Sequence, residues 1–124
     1  MKKKILIAED HTAVTKALQI LLEPRYETIS AINGKQAVEF AVSEQPDLIL
    51  MDIVMPVMNG FKASRRIRHH PKTHSIPILA VTAMGTLEDK EECFQSGCND
   101  FIVKPFLVED LLPCIEKLLK QGSA

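Results

Sequence analysis

Short runs of aliphatic residues alternate along the chain with longer stretches in which apolar positions recur every three or four residues. Lys4 to Ala8 predicts a first strand. From Thr12 to Leu22, the residues Val14, Ala17, Leu18, Leu21 and Leu22 share one helical face, and Pro24 ends that helix. Glu27 to Ile32 alternates like a half-exposed strand, with Asn33-Gly34 as its turn. Ala37, Val38, Phe40 and Ala41 give a second helix its apolar stripe, closed at Pro46. Asp47 to Asp52 sets a continuous apolar run between two acids, the pattern of a strand buried on both faces. A loop with Pro56 and Asn59-Gly60 leads into a basic helix through Phe61, Ile67 and Arg68, stopped by Pro71. Ile76 to Thr82 predicts a fourth strand, Leu87 to Ser96 a more polar helix capped by Gly97, Phe101 to Val103 a short fifth strand, and Val108 to Leu119 a last helix. Pro113 lies inside that last helix, where it removes a backbone bond, and predicts either a kink or a later helix start.

Five strand–helix units with short connections imply an α/β fold, a five-stranded parallel sheet with helices on both faces. The doubly wound, flavodoxin-like strand order 2-1-3-4-5 suits them, with the first and third strands as neighbours.

A chain of 124 residues is long enough for one core and too short for two ordinary domains. Apolar residues make up 46% and charged residues 25%, with a formal net charge of −1, so neither direct nucleic-acid binding nor membrane insertion is expected. The basic start at Lys2 to Lys4 is followed only by Ile5 to Ala8 before Glu9 and Asp10, far short of a signal-peptide core. Cys93, Cys98 and Cys114 have no metal-ligand spacing and read as packed free thiols of a cytoplasmic protein.

Open α/β sheets work at the carboxyl ends of their strands. There the first strand delivers Glu9-Asp10, the third Asp52, the fourth Thr82-Ala83, and the fifth leads to Lys104-Pro105. Crowded carboxylates repel unless cations join them. Lys104 supplies one positive charge, and an oxygen-only donor set suits Mg²⁺, which keeps waters and completes its shell with a phosphate oxygen. No His or Cys ends a strand, so zinc is a poor match. Asp52, ending the buried central strand, is the best nucleophile for an acyl phosphate.

Glu9-Asp10 after ILIA, Asp52 in LILMDIVMPVMNG, Thr82-Ala83 after IPILAV, and Lys104-Pro105-Phe106 together resemble the receiver domains of two-component response regulators. The resemblance covers about residues 3 to 120 and treats 1–124 as one receiver domain. It implies that Asp52 is the phosphoacceptor and that Glu9, Asp10, Asp52 and the backbone carbonyl of Val54 hold Mg²⁺. Lys104 would pair with the phosphoryl group, Thr82 would move towards it, and Phe101 would be the aromatic switch residue. It further implies a cis Lys104–Pro105 peptide, a histidine kinase or histidine phosphotransfer protein as donor, and an unknown downstream protein target. The expected state is a monomer or a phosphorylation-dependent dimer. Phe101 replaces the commoner tyrosine, so its switching would act through ring packing. Val54 and Met84 offer no polar group to an attacking water, which implies slow self-catalysed loss of the phosphoryl group.

The alternatives are a receiver cut from a hybrid kinase or larger regulator, and an aspartate-nucleophile phosphatase. Met1 just before the first strand favours a stand-alone receiver over the former. A phosphatase would want a second acid two residues after the nucleophile, where Val54 stands. A flavin or nucleotide carrier would need a glycine-rich or hydroxyl-rich phosphate loop in place of Glu9-Asp10-His11. Asp10 could also cap the first helix. His69, His70 and His74, interrupted by Pro71, read as a solvated loop, and Arg65, Arg66 and Arg68 as the wet face of the third helix.

Overall fold

The computed structural model describes residues 2–83 and 85–122, so Met84 lies outside the described residues. Five parallel strands, β1 (Lys4–Ala8), β2 (Glu27–Ala31), β3 (Leu48–Asp52), β4 (Ile78–Thr82) and β5 (Asp100–Val103), form one sheet in the order β2-β1-β3-β4-β5. They alternate with α1 (Thr12–Leu22), α2 (Gly34–Glu44), α3 (Gly60–His69), α4 (Leu87–Gln95) and α5 (Val108–Gly122).

The period-2 alternation of the strands divides the core in two. Leu6, Ala8, Ile49, Met51, Ile78 and Ala80 face α2, α3 and Cys93 of α4. Ile5, Ile7, Leu48, Leu50, Leu79 and Val81 face Leu18 and Leu22 of α1 and Leu111, Ile115 and Leu118 of α5. Strands β3 and β4 are buried at every position, as their unbroken apolar runs require. Edge strand β2 is half-exposed.

Several boundaries differ from the sequence reading for local reasons. The strand β2 stops at Ala31 because the Ile32 amide donates to the Gln36 side chain, 3.0 Å away. Asn33-Gly34 is a helix entry and not a free turn: Asn33 caps α2 by accepting from the Gln36 amide at 2.8 Å. Asn59 caps α3 and Thr86 caps α4 in the same way. At the far end of α4, Gly97 (φ +102°) closes a Schellman motif in which Gly97 N donates to Phe94 O and Cys98 N to Cys93 O.

Helix α5 begins at Val108 and runs through Pro113, so the later start is excluded. Pro113 is exposed, as is Glu109 one turn earlier, so the carbonyl deprived of its donor can turn to water. Among the described residues no helix is long and apolar enough to cross a membrane.

Candidate functional site

The strand ends carry their polar side chains to one edge because the buried parts of the strands leave no other place for them. Parallel pairing sets Ala8 beside Met51 and Asp52 beside Val81, so β1, β3 and β4 finish almost level. Backbone bonds extend this order past the strands: Glu9 N donates to Ala31 O, Ile53 N to Val81 O, and Lys104 N to Thr82 O. Gly60 lets α3 approach closely, since a Cβ there would lie 2.3 Å from the carbonyl oxygen of Asp52. The Lys104–Pro105 peptide bond is cis.

Glu9 (3% exposed), Asp52 (6%) and Thr82 (2%) are buried at this edge. Lys104 Nζ donates to Glu9 Oε1 at 3.1 Å and to Asp52 Oδ2 at 3.3 Å, tying β5 to β1 and β3. The Val54 amide donates to Asp52 Oδ1 at 3.2 Å, while the Val54 side chain is 61% exposed. Phe101 lies away from these groups. Its ring meets Phe94 edge-on with centroids 5.9 Å apart, under the Lys90 ammonium at 5.3 Å.

Electrostatics separates the two buried acids. Burial pushes Asp52 up, neighbouring Glu9 adds to it, and Lys104 and the Val54 amide only partly oppose, leaving it at about 6. Burial also acts on Glu9, but the His11 amide and Lys104 outweigh it and hold Glu9 at about 2. Burial pulls the Lys104 ammonium down, yet Glu9 and Asp52 prevail and raise it. The site therefore holds more negative charge than one lysine balances.

Asp10 Oδ1 is buried without a hydrogen-bond partner among the described residues. Such an orphan is costly, and a cation would satisfy it. With Glu9 and Asp52 it offers hard oxygen donors, so the residues present suit a Mg²⁺ ion.

Three expectations need correction. Asp10 does not cap α1; the N-cap position is His11, which makes no side-chain capping bond. A histidine does stand at the site: His11 Nδ1 is 3.3 Å from Glu9 Oε2 and 3.4 Å from Asp10 Oδ1, so the argument against nitrogen-accepting metals loses its premise. His11 stands beyond the end of β1 at the entry to α1, where the residues ending a strand give no signal of it. Arg68 is not a solvated side chain. Half-buried, it donates to the carbonyls of Gly97, His74 and Ile76 and to Asn99 Oδ1, fastening α3 to the loops before β4 and β5. Arg65 pairs with Glu92 of α4, and His69 and His70 make local bonds. Cys93, Cys98 and Cys114 are free, and burial pushes all three thiols up.

The family model of the response regulator receiver domain matches residues 5–116. The chain belongs to that family. This receiver domain is 36% identical over 120 residues to the polar-differentiation response regulator DivK of Brucella anthropi, covering 96% of this chain and 98% of DivK. It is 38% identical over 119 residues to the DNA-binding transcriptional regulator RpaA of Synechocystis, covering 95% of this chain and 49% of RpaA. The chain thus spans about half the length of several curated relatives it matches, RpaA at 49% and SrrA of Staphylococcus aureus at 51%. The receiver domain of the sensor histidine kinase PA1611 from Pseudomonas aeruginosa PAO1, solved with a magnesium ion coordinated in its active site cleft, has a TM-score of 0.90 to this receiver. The two are 32% identical over 97% of this chain and 99% of that one. A response regulator from Chloroflexus aurantiacus reaches a TM-score of 0.91 at 30% identity, over 97% of this chain and 99% of that one. The receiver is thus a phosphoacceptor signalling switch of the two-component class.

Proposed function

We propose that Asp52 is the acceptor of this switch and that residues 1–124, with a core at about 3–120, act as one cytoplasmic receiver unit. The observation that carries the assignment is the pairing of Asp52, buried at the end of the central strand, with Lys104 at 3.3 Å and the Val54 amide at 3.2 Å. A nucleophile placed this way is held in one orientation before its partner arrives.

The donor is a phosphohistidine of a histidine kinase or phosphotransfer protein. As the P–N bond breaks and the imidazole leaves, a P–O bond forms to the Asp52 carboxylate, giving an acyl phosphate. Lys104, released in part from Asp52, pairs with the phosphoryl oxygens, and the Thr82 hydroxyl turns to one of them. Glu9, Asp10, Asp52 and the Val54 carbonyl would hold Mg²⁺. When bound there, the ion would neutralise negative charge on these acids and on the phosphoryl oxygens. Movement of Thr82 opens space at the end of β4, and Phe101 repacks against Phe94 and Lys90, changing the face of α4 and β5 seen by a downstream protein.

Apart from accepting and losing this group the domain has no turnover of its own. The exposed Val54 side chain cannot orient an attacking water, so the acyl phosphate is long-lived; a lifetime of seconds in the purified protein would refute this. The acceptor assignment is tested by incubation with acetyl phosphate, or a beryllofluoride salt, plus Mg²⁺. One phosphoryl group or one beryllofluoride adduct per chain is expected, lost in Asp52→Asn. Incorporation that survives this substitution would overturn it.

A further inference from the structure

We propose that His11 is a further ligand at the cation site, shifting this chain's preference from Mg²⁺ towards nitrogen-accepting first-row ions such as Mn²⁺ and Ni²⁺. The inference rests on the reading above only in requiring that Glu9 and Asp10 hold a cation.

The geometry is that of a shared ion. One ligand atom from each of Glu9, Asp10 and His11 lies within 4.8 Å of the others. The His11 Nδ1 separations, 3.3 Å to Glu9 Oε2 and 3.4 Å to Asp10 Oδ1, match those of ligands bound to a common metal. Two donors each about 2.1 Å from an ion stand roughly 3.0–3.4 Å apart in octahedral or tetrahedral arrangement. The Asp10 oxygen nearest the imidazole is the buried orphan, so the ring stands beside an acceptor that lacks a hydrogen-bond partner among the described residues. Beyond its contact with Glu9 Oε2, little holds the ring in place. It makes no capping bond to α1 and is 71% exposed, so packing does not fix its angle.

The chemical consequence is selectivity. Mg²⁺ prefers oxygen and gains little from an imidazole, whereas affinity for nitrogen donors rises from Mn²⁺ to Ni²⁺. A receiver site built of oxygens alone follows the same order, but an imidazole donor steepens it. A plain ion pair between His11 and the acids would leave selectivity untouched, and that difference makes the proposal testable.

Metal-stripped full chain is titrated calorimetrically with Mg²⁺ alone and with Ni²⁺ alone, as wild type, His11→Ala, His11→Gln and Asp10→Asn. Far-UV circular dichroism establishes that each variant is folded. The ratio of Ni²⁺ to Mg²⁺ affinity is expected to fall at least about tenfold in both His11 variants, while Asp10→Asn weakens both ions. Pulsed electron paramagnetic resonance of the Mn²⁺-loaded wild type should show coupling to one bound imidazole nitrogen, lost in His11→Ala. A ratio unchanged within about twofold in His11→Ala, or a Mn²⁺ spectrum without nitrogen coupling, overturns the role of His11. Ni²⁺ binding that ignores Asp10→Asn places the ion elsewhere, as at His69, His70 and His74, and also overturns it. Failure of either ion to bind the wild type overturns the cation site itself, a result distinct from failure of His11 alone. Acetyl phosphate labelling of Asp52 is scored separately.

Discussion

Replacing Lys104 by methionine keeps most of the side chain and removes only the ammonium that donates to Glu9 Oε1 at 3.1 Å and Asp52 Oδ2 at 3.3 Å. At an effective dielectric of about 20, each contact corresponds to roughly 5 kcal/mol of bare attraction, much of it offset by desolvation. Removing one partner of a fully buried pair costs about 3–5 kcal/mol, and because Lys104 retains some exposure the expected loss at pH 7 is about 2–3 kcal/mol. That cost arises from leaving two ionised acids facing one another, and a proton can relieve it. Asp52 already titrates at about 6, and it rises further once the lysine that lowers it is gone. In the unfolded chain an aspartate titrates near 3.9, so protonating it on folding costs roughly 4 kcal/mol at pH 7 and about 1.5 kcal/mol at pH 5. The destabilisation should therefore shrink to about 1 kcal/mol at pH 5, where the proton is cheap to bind. Titration of Lys104 does not enter. Its raised value means that its contribution is complete below the unfolded pKa and is lost only in strong alkali. Urea unfolding in EDTA at both pH values, with Lys104→Arg as the charge-preserving control, measures this directly. A penalty that is the same at pH 7 and pH 5, or below about 0.5 kcal/mol at pH 7, would refute the argument.

Arg68→Ala should cost about 2–3 kcal/mol in urea unfolding with an unchanged m-value, because it strips the guanidinium from carbonyls of three residues, while Asn99 Oδ1 keeps the Ile78 amide as donor. Gly60→Ala forces a Cβ to within 2.3 Å of the Asp52 carbonyl oxygen, so a loss of more than about 3 kcal/mol and sharply reduced acetyl phosphate labelling are expected. Mg²⁺ affinity should be flat above pH 7 and fall as pH drops below about 6, approaching about tenfold per unit, since the proton that Asp52 then holds competes with the ion. Isothermal titration at pH 5, 6 and 7 checks the slope, and a flat profile would argue that Asp52 is not a ligand.

What could be read in advance, and what could not, divides by the range of the interaction. Strand period and the short connections place Glu9, Asp52 and Thr82 at one sheet edge, because a parallel sheet with buried strands leaves its polar residues only at the ends. A lone Lys104 carries no such signal, and its position follows only from the surrounding set. Local rules also misled where a neighbour reassigned a group: the Ile32 amide leaves the sheet for Gln36, and Asn33-Gly34 becomes a cap. The role of Arg68 was illegible for a different reason. Its carbonyl acceptors belong to residues 74, 76 and 97, and a carbonyl is the same in every residue type, so no side-chain pattern announces it. His11 fails in a third way. Its position in the chain was plain, yet the reach of Nδ1 to two acids depends on how the chain enters α1, which alternation of apolar residues does not specify. Residues that act through side-chain chemistry at a sheet edge thus leave a trace in sequence. Residues that act through backbone acceptors or entry angles leave none, as with Arg68 and His11 here.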